Sequence, residues 1–221
     1  MNVLVIAAHP DDEVLGCGGV MARHAAQGDE VHVLVATRGI PEIYAPESIE
    51  ETRLELKAAH ELLKVTETHF LDFPAPKLDM VPGHELADGI KNVIYRVRPE
   101  TVYLPHGGDI HLDHRAVYMA ALVAARPASD CPVRQLLCYE TLSETEWAPT
   151  TGGGIFVPTV FVNITDYLEI KLQAMACYRT QLKEPPHSRS LDAIKSLATL
   201  RGATVGFFAG EAFALERRII E

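Results

Sequence analysis

The sequence predicts an α/β protein: a three-layer, Rossmann-like sandwich with a largely parallel central sheet. Three observations carry this. Short runs rich in Val, Ile and Leu alternate with helical patterns for most of the chain, the signature of successive βαβ units. The first run, residues 3–7, is continuously apolar and too short for a helix, so it reads as a strand buried on both faces. Polar clusters then stand just beyond two of the strand ends, where open α/β sheets bind ligands.

The elements follow in order. A helix is expected over 13–26, with Gly28 as its stop. Residues 30–36 are rich in Val and read as the second strand. Ser48 and Glu51 have capping-box spacing ahead of a helix ending near Lys64. Residues 69–72 read as a short strand. Leu86, Ile90, Val93, Ile94 and Val97 repeat at helical spacing, and Pro99 ends that helix. A strand at 101–105 precedes a helix over 111–126, which Pro127 stops. Residues 135–140 and 159–164 read as later strands, and 166–181 and 191–200 as helices. The stretch Gly152-Gly153-Gly154 reads as a loop within one domain rather than a boundary. The span 1–221 is therefore taken as a single domain, long enough to bury its core without disulfides or metal staples.

Composition narrows the function. At 48% hydrophobic and 23% charged residues the chain is neither disordered nor fibrous. A net charge of -10 makes it a poor partner for nucleic acid or an anionic membrane surface. The four cysteines, Cys17, Cys131, Cys138 and Cys177, form no Cys-x-x-Cys pair, which argues against a cysteine zinc site. The apolar run at the N-terminus stops at Pro10-Asp11-Asp12-Glu13, and no Lys or Arg precedes Arg23. This is not the pattern of a signal peptide. No stretch reaches the roughly 18 apolar residues that a transmembrane helix needs. A cytoplasmic protein is expected.

The first polar cluster is Ala8-His9-Pro10-Asp11-Asp12-Glu13. One acid at a helix start is explained by capping and the helix dipole. Three consecutive acids beside a histidine exceed that need, and their repulsion calls for a cation. The glycines of Gly16-Cys17-Gly18-Gly19 do not have dinucleotide-fingerprint spacing, and acids in the turn would repel a pyrophosphate. They read instead as a close-packing surface of the helix. The second cluster runs from His106 through Asp109, His111 and Asp113 to His114. His111 and His114 share one face of a helical first turn, and Asp109 and Asp113 are placed to orient imidazoles. His24, His32, His60, His69 and His84 stand away from these strand ends and read as surface or satisfied core residues. Both clusters would meet at one edge of the sheet, offering His9, Asp12 and His114 as metal ligands. Such a set suits catalytic zinc with an open position, or iron(II) as a facial triad.

The two motifs together resemble the PIG-L (LmbE-like) family of zinc-dependent N-acetylglucosamine deacetylases. The first is Ala8 to Glu13; the second is Pro105 followed by Asp109-x-His111-x-Asp113-His114. Weaker similarity runs through the rest of the chain: Thr37-Arg38-Gly39, Arg53 with Glu55, Tyr139-Glu140-Thr141, Thr145-Glu146-Trp147, Gln181, His187-Ser188-Arg189-Ser190, Arg201-Gly202, Gly206 and Glu211-Ala212-Phe213. The tail is most similar to the bacterial branch that includes bacillithiol-synthesis enzymes. Leu63-Lys64-Val65 departs from a usual Leu-Gly-Val, and Gly210 stands where Ala is common.

The resemblance implies roles. His9, Asp12 and His114 would bind zinc. Asp11 would be the general base. His111 would stabilise the oxyanion or donate a proton, with Asp113 orienting it, and Arg53 and His187 would line the substrate site. It implies an amino-sugar substrate and leaves a homo-oligomer open. The aglycone side of the pocket is expected in the loops 40–46 and 143–154, with Asp109, Tyr139 and Trp147 as further candidates for substrate contact. Two other readings stand beside this one: another metal-dependent hydrolase of esterase type, and a non-catalytic sugar-binding protein with a structural metal. Asp11 bears on the last, because an unliganded acid beside the metal set is unnecessary for structure.

Overall fold

The computed structural model describes residues 1–128, 130–150 and 154–220. The chain runs β1 (Asn2–Ala7), α1 (Asp12–Ala26), β2 (Glu30–Gly39), α2 (Pro46–Leu63), β3 (Glu67–Ala75), α3 (Gly83–Val97), β4 (Thr101–Pro105), α4 (Leu112–Ala124), β5 (Gln135–Tyr139), β6 (Val160–Asn163), α5 (Leu168–Cys177), α6 (Leu191–Ala203) and β7 (Gly210–Arg218). Seven strands form one sheet in the order β3-β2-β1-β4-β5-β7-β6. The pairs from β3 through β5 are parallel. The two pairs made by β7 are antiparallel.

The alternation of Cβ directions along a strand builds the three layers. Val3 and Val5 of β1, with Val31, Val33 and Val35 of β2, pack against α1, α2, α5 and α6. Leu4 and Ile6, with Leu34 and Ala36, pack against α3 and α4 on the other face. Both faces of β1 are therefore buried. Gly16 and Gly19 let α1 approach closely: a Cβ would lie 2.2 Å from Tyr139 Cδ2 at Gly16 and 2.7 Å from Ile164 Cδ1 at Gly19. Gly18 faces Lys171 of α5 instead.

Several boundaries differ from the sequence expectation. Helix α2 starts at Pro46, so Ser48 lies inside the first turn and the capping box does not form. Proline at a helix start needs no N–H partner, which makes Pro46 the start signal. At its other end Lys64 takes φ 56, a left-handed cap that favours the glycine usual there. Strand β3 runs from Glu67 to Ala75 rather than over 69–72, past a register shift opposite β2 and a positive φ at Asp72. The irregularity and Pro74 hid its length. Helix α5 ends at Cys177, four residues short of Gln181, where Tyr178 turns into the core. Strand β7 is not among the expected strands. Only its first four residues are consistently buried, so its apolar signal is short. The glycine loop expected at 152–154 lies outside the described residues except for Gly154.

β1 connects outward to β2 on one side, while β4 lies on the other. The carboxyl ends of β1 and β4 therefore flank the point where the winding direction changes, the usual ligand crevice of such a sheet. Both polar clusters emerge there.

Candidate metal centre and active site

The first cluster leaves β1 in a tight turn. Asp11 is a non-glycine residue at φ 111, and Asp12 opens α1. Asp12 Oδ2 accepts the His9 N–H at 2.7 Å, which closes the turn. The second cluster leaves β4 through 106–111, and His111 caps α4. The rings of His9, His111 and His114 bunch together, with centroids 4.5 to 5.4 Å apart.

His9, Asp12 and His114 present one ligand atom each to a common point. Asp12 Oδ2 lies 3.5 Å from His9 Nδ1 and 3.3 Å from His114 Nε2. A tetrahedral zinc with bonds of about 2.0–2.2 Å separates neighbouring donors by about 3.4 Å. Among the described residues, His114 Nε2 and Asp12 Oδ1 are buried polar atoms without a hydrogen-bond partner. Such orphans are costly unless a further group satisfies them. The opposite edge of each imidazole is held. His114 Nδ1 donates to Asp109 Oδ2 at 2.8 Å, and Asp109 Oδ1 accepts from Thr145 Oγ1 at 2.6 Å. His9 Nε2 donates to Asp113 Oδ2 at 2.9 Å, and Asp113 Oδ1 accepts the Leu78 N–H at 3.0 Å. These bonds aim the remaining nitrogen lone pairs at the shared point. The residues fit a bound zinc or similar divalent ion.

The electrostatics agree. Burial pulls both imidazoles down, but the neighbouring carboxylates win. Asp113 and Asp12 raise His9 to about 9. Asp12 and Asp109 raise His114 to about 10. The centre demands positive charge, from protons or from a metal ion. His111 behaves in the opposite way: burial, His9 and His114 push it down to about 4. Its Nδ1 accepts the Asp113 N–H at 3.1 Å, so a neutral ring carries its proton on Nε2. The family resemblance implies that Asp113 orients His111. The structure places the Asp113 carboxylate on His9 and leaves His111 to the backbone of the same residue.

A cavity of about 380 Å³ opens in front, lined by His9, Asp11, His111, Arg53, Glu144 and Arg189 among others. Asp12 and His114 are fully buried and are not among its lining residues. Burial pushes the Asp11 carboxyl up to about 7 against the pull of Arg189, whose Nη1 donates to Asp11 Oδ2 at 3.1 Å. Arg53 lies 4.0 Å over the Phe70 ring and bonds Asp72. His187 does not line the cavity; it packs edge-on against the exposed Trp147, 5.9 Å away, and its Nδ1 accepts the Arg189 N–H. Arg189, two residues on in the same motif, is the one that reaches the site, and sequence reasoning missed it. Of the two loops expected to shape the pocket, the first contributes Tyr44 and the second Glu144. Residues 151–153 of the second lie outside the described residues. Tyr139 is fully buried and donates to the Ile6 carbonyl at 2.8 Å, a packing role.

A second group, His32, Glu67 and His69, also brings ligand atoms together. Its imidazoles are nearly parallel, with centroids 5.6 Å apart and His32 Nδ1 3.3 Å from His69 Nε2. They meet end to end, so the facing nitrogens share a hydrogen bond rather than converge on an ion. Arg96 Nη2 donates to the far nitrogen of His69 at 2.7 Å.

A mostly parallel α/β sheet with histidines and carboxylates gathered at its switch point defines a class of α/β domains with a candidate metal centre. Within it, this chain belongs to the PIG-L family (GlcNAc-PI de-N-acetylase), whose model matches residues 4–125. That span includes both motifs and Arg53 but stops short of Glu144 and Arg189. The chain is 34% identical over 186 residues to the uncharacterized deacetylase YaiS of Escherichia coli, covering 81% of this chain and 91% of that one. It is 29% identical over 214 residues to a probable N-acetyl-alpha-D-glucosaminyl L-malate deacetylase 2 of Bacillus cereus, covering 90% and 93%. The conserved protein TT1542 of Thermus thermophilus has the same fold, with a TM-score of 0.76 at 26% identity over 99% of this chain and 96% of that one. Other relatives are named as deacetylases of an inositol conjugate and of diacetylchitobiose, so the bacillithiol branch is not singled out.

Proposed function

We propose that this chain hydrolyses the N-acetyl group of a GlcNAc-type sugar or conjugate, releasing acetate and a free amine. His9, Asp12 and His114 hold zinc. The observation that carries the reading is the convergence of His9, Asp12 and His114 on one point, with His114 Nε2 buried and unpaired, beside a cavity that His9, Asp11 and His111 line. When bound, zinc supplies Lewis acidity that lowers the pKa of water to about 7.

Asp11 accepts the proton of the attacking water as general base. Adjacent side chains diverge, so Asp12 turns inward while Asp11 faces the substrate. The new bond joins the water oxygen to the acetyl carbon, and negative charge develops on the carbonyl oxygen. His111 Nε2–H donates to that oxygen, and a neutral ring suffices for this. The carbon–nitrogen bond then breaks. Asp11 returns its proton to the departing amine. Arg53 and the loop residues Tyr44 and Glu144 bind the rest of the sugar, and Arg189 fixes the Asp11 carboxylate.

The test is acetate release from a panel of N-acetylglucosamine derivatives by zinc-loaded protein, with Asp11→Asn alongside. One derivative should release acetate, and Asp11→Asn should keep its zinc while turnover falls by about 10² or more. Zinc-loaded protein that cleaves esters but no amide would replace this reading with an esterase-type hydrolase.

A further inference from the structure

We infer that Glu13 is the positioning residue for Asp11, holding its peptide in the left-handed conformation that presents the carboxylate to the cavity. The inference rests on the reading of Asp11 as the base. An acid in the first turn of a helix ordinarily serves the helix dipole from the surface. Glu13 is fully buried. Its Oε2 accepts the Asp11 N–H at 3.1 Å. Its Oε1 accepts from Tyr178 Oη at 2.5 Å and from His60 Nε2 at 3.3 Å.

The donors come from distant parts of the chain. His60 lies near the end of α2, and Tyr178 just beyond α5. Both are buried. With His60 Nε2 donating to Glu13, His60 Nδ1 accepts from Thr68 Oγ1 at 2.7 Å. Glu13 is thus clamped on one oxygen and uses the other on a single peptide N–H.

That peptide needs the help. Asp11 sits at φ 111 and ψ -28, a region that disfavours any residue with a Cβ. Its N–H also precedes α1, where no helical carbonyl can accept it. Glycine would relieve the backbone but would remove the carboxylate. In the observed conformation the Glu13 acceptor satisfies this buried N–H. A shift of about 1 Å in a reacting group can cost 10²-fold in rate.

Glu13→Gln and Glu13→Met separate the possible roles. Glutamine can keep its oxygen on the Asp11 N–H, while its amide donates to Tyr178 and His60 after their protons reorient. Methionine fills similar space without an acceptor. With zinc loaded, Glu13→Met should bind metal as wild type does and lose about 10²-fold in kcat at unchanged KM. Glu13→Gln should stay close to wild type. A crystal structure of Glu13→Met should show Asp11 out of the left-handed region. Wild-type kcat in Glu13→Met, or an unmoved Asp11, would overturn the inference. So would a Glu13→Gln enzyme as slow as Glu13→Met, because charge would then be what matters. If Glu13→Met does not fold, Tyr178→Phe loosens the clamp from outside and should lower kcat at constant KM; unchanged kcat would refute the idea. If wild type releases acetate from no derivative, the deacetylase reading fails, and the Asp11 conformation in the variants decides this inference alone.

Discussion

Arg189 Nη1 stands 3.1 Å from Asp11 Oδ2, joining residues 178 positions apart in the chain. The guanidinium is itself fixed: its Nε donates to Ser143 Oγ at 2.6 Å, and it also reaches Gln181 and Glu144. Burial raises the Asp11 carboxyl, and Arg189 is the largest opposing influence. A base works only when ionised, so, with Asp11 as the proposed base, losing the cation moves it out of its working range. Arg189→Met should therefore shift the acidic limb of the kcat/KM profile to higher pH. The profile of acetate release against pH, for wild type and variant, checks this; an unmoved limb would mean that Arg189 does not act on Asp11.

Asp109 acts on the metal set from behind. Its carboxylate accepts the Nδ1–H of His114 and is held in turn by Thr145. Asp109→Asn can present a donor where an acceptor is needed, which frees the ring to turn. Zinc affinity should fall by about 10- to 100-fold, read by competition with a chelator. Thr145→Val should give a smaller loss in the same direction.

The contrast between these two residues shows what the sequence made legible. Asp109, His111, Asp113 and His114 fall in one six-residue span beyond a strand end, and His9 to Glu13 in a five-residue span beyond another. Their spacing and the strand-end rule brought them together without coordinates. Arg189 and Glu144 reach the site through tertiary paths that leave no periodic trace. Within His187-Ser188-Arg189-Ser190 the sequence cannot say which side chain turns inward, and His187 turned out to face Trp147. The direction of Asp113 failed to emerge for the same reason. His60 looked like an ordinary core histidine because its partners, Glu13 and Thr68, lie in other elements. β7 hid because its second half carries Glu216, Arg217 and Arg218 on a partly exposed strand.

Metal removal should have a pH-dependent cost. His9 and His114 are raised above their ordinary value of 6.5, to about 9 and about 10. Their protonation therefore contributes stability that is complete below the unfolded value and is lost as pH rises through the folded ones. Zinc requires the same nitrogens unprotonated, so it competes with protons at low pH and replaces them at high pH. The gain in Tm on adding zinc to chelator-treated protein should be larger near pH 8.5 than near pH 6.5. Thermal melts at the two pH values test this, and an equal gain would count against these ligands.

The buried ion pair behind α1 governs stability rather than chemistry. Lys171 Nζ lies 2.6 Å from Glu211 Oε1 and donates to the Leu15 carbonyl at 2.8 Å. Glu211 also accepts the N–H groups of Gly19 at 2.9 Å and Val20 at 2.7 Å, in the middle of the helix that Asp12 opens. Both side chains are about 5% exposed or less, so solvent screens the pair little. Such a pair adds little over a well-packed apolar substitute, but removing one partner strands the other charge in the core. Lys171→Met should cost about 3–5 kcal/mol of unfolding free energy, measured by urea denaturation. Among the described residues neither Lys171 nor Glu211 is hydrogen-bonded to His9, Asp12 or His114, the proposed ligands, so the folded fraction of the variant should still bind zinc. A loss below about 1 kcal/mol would show that Glu211 is satisfied by the helix N–H groups alone.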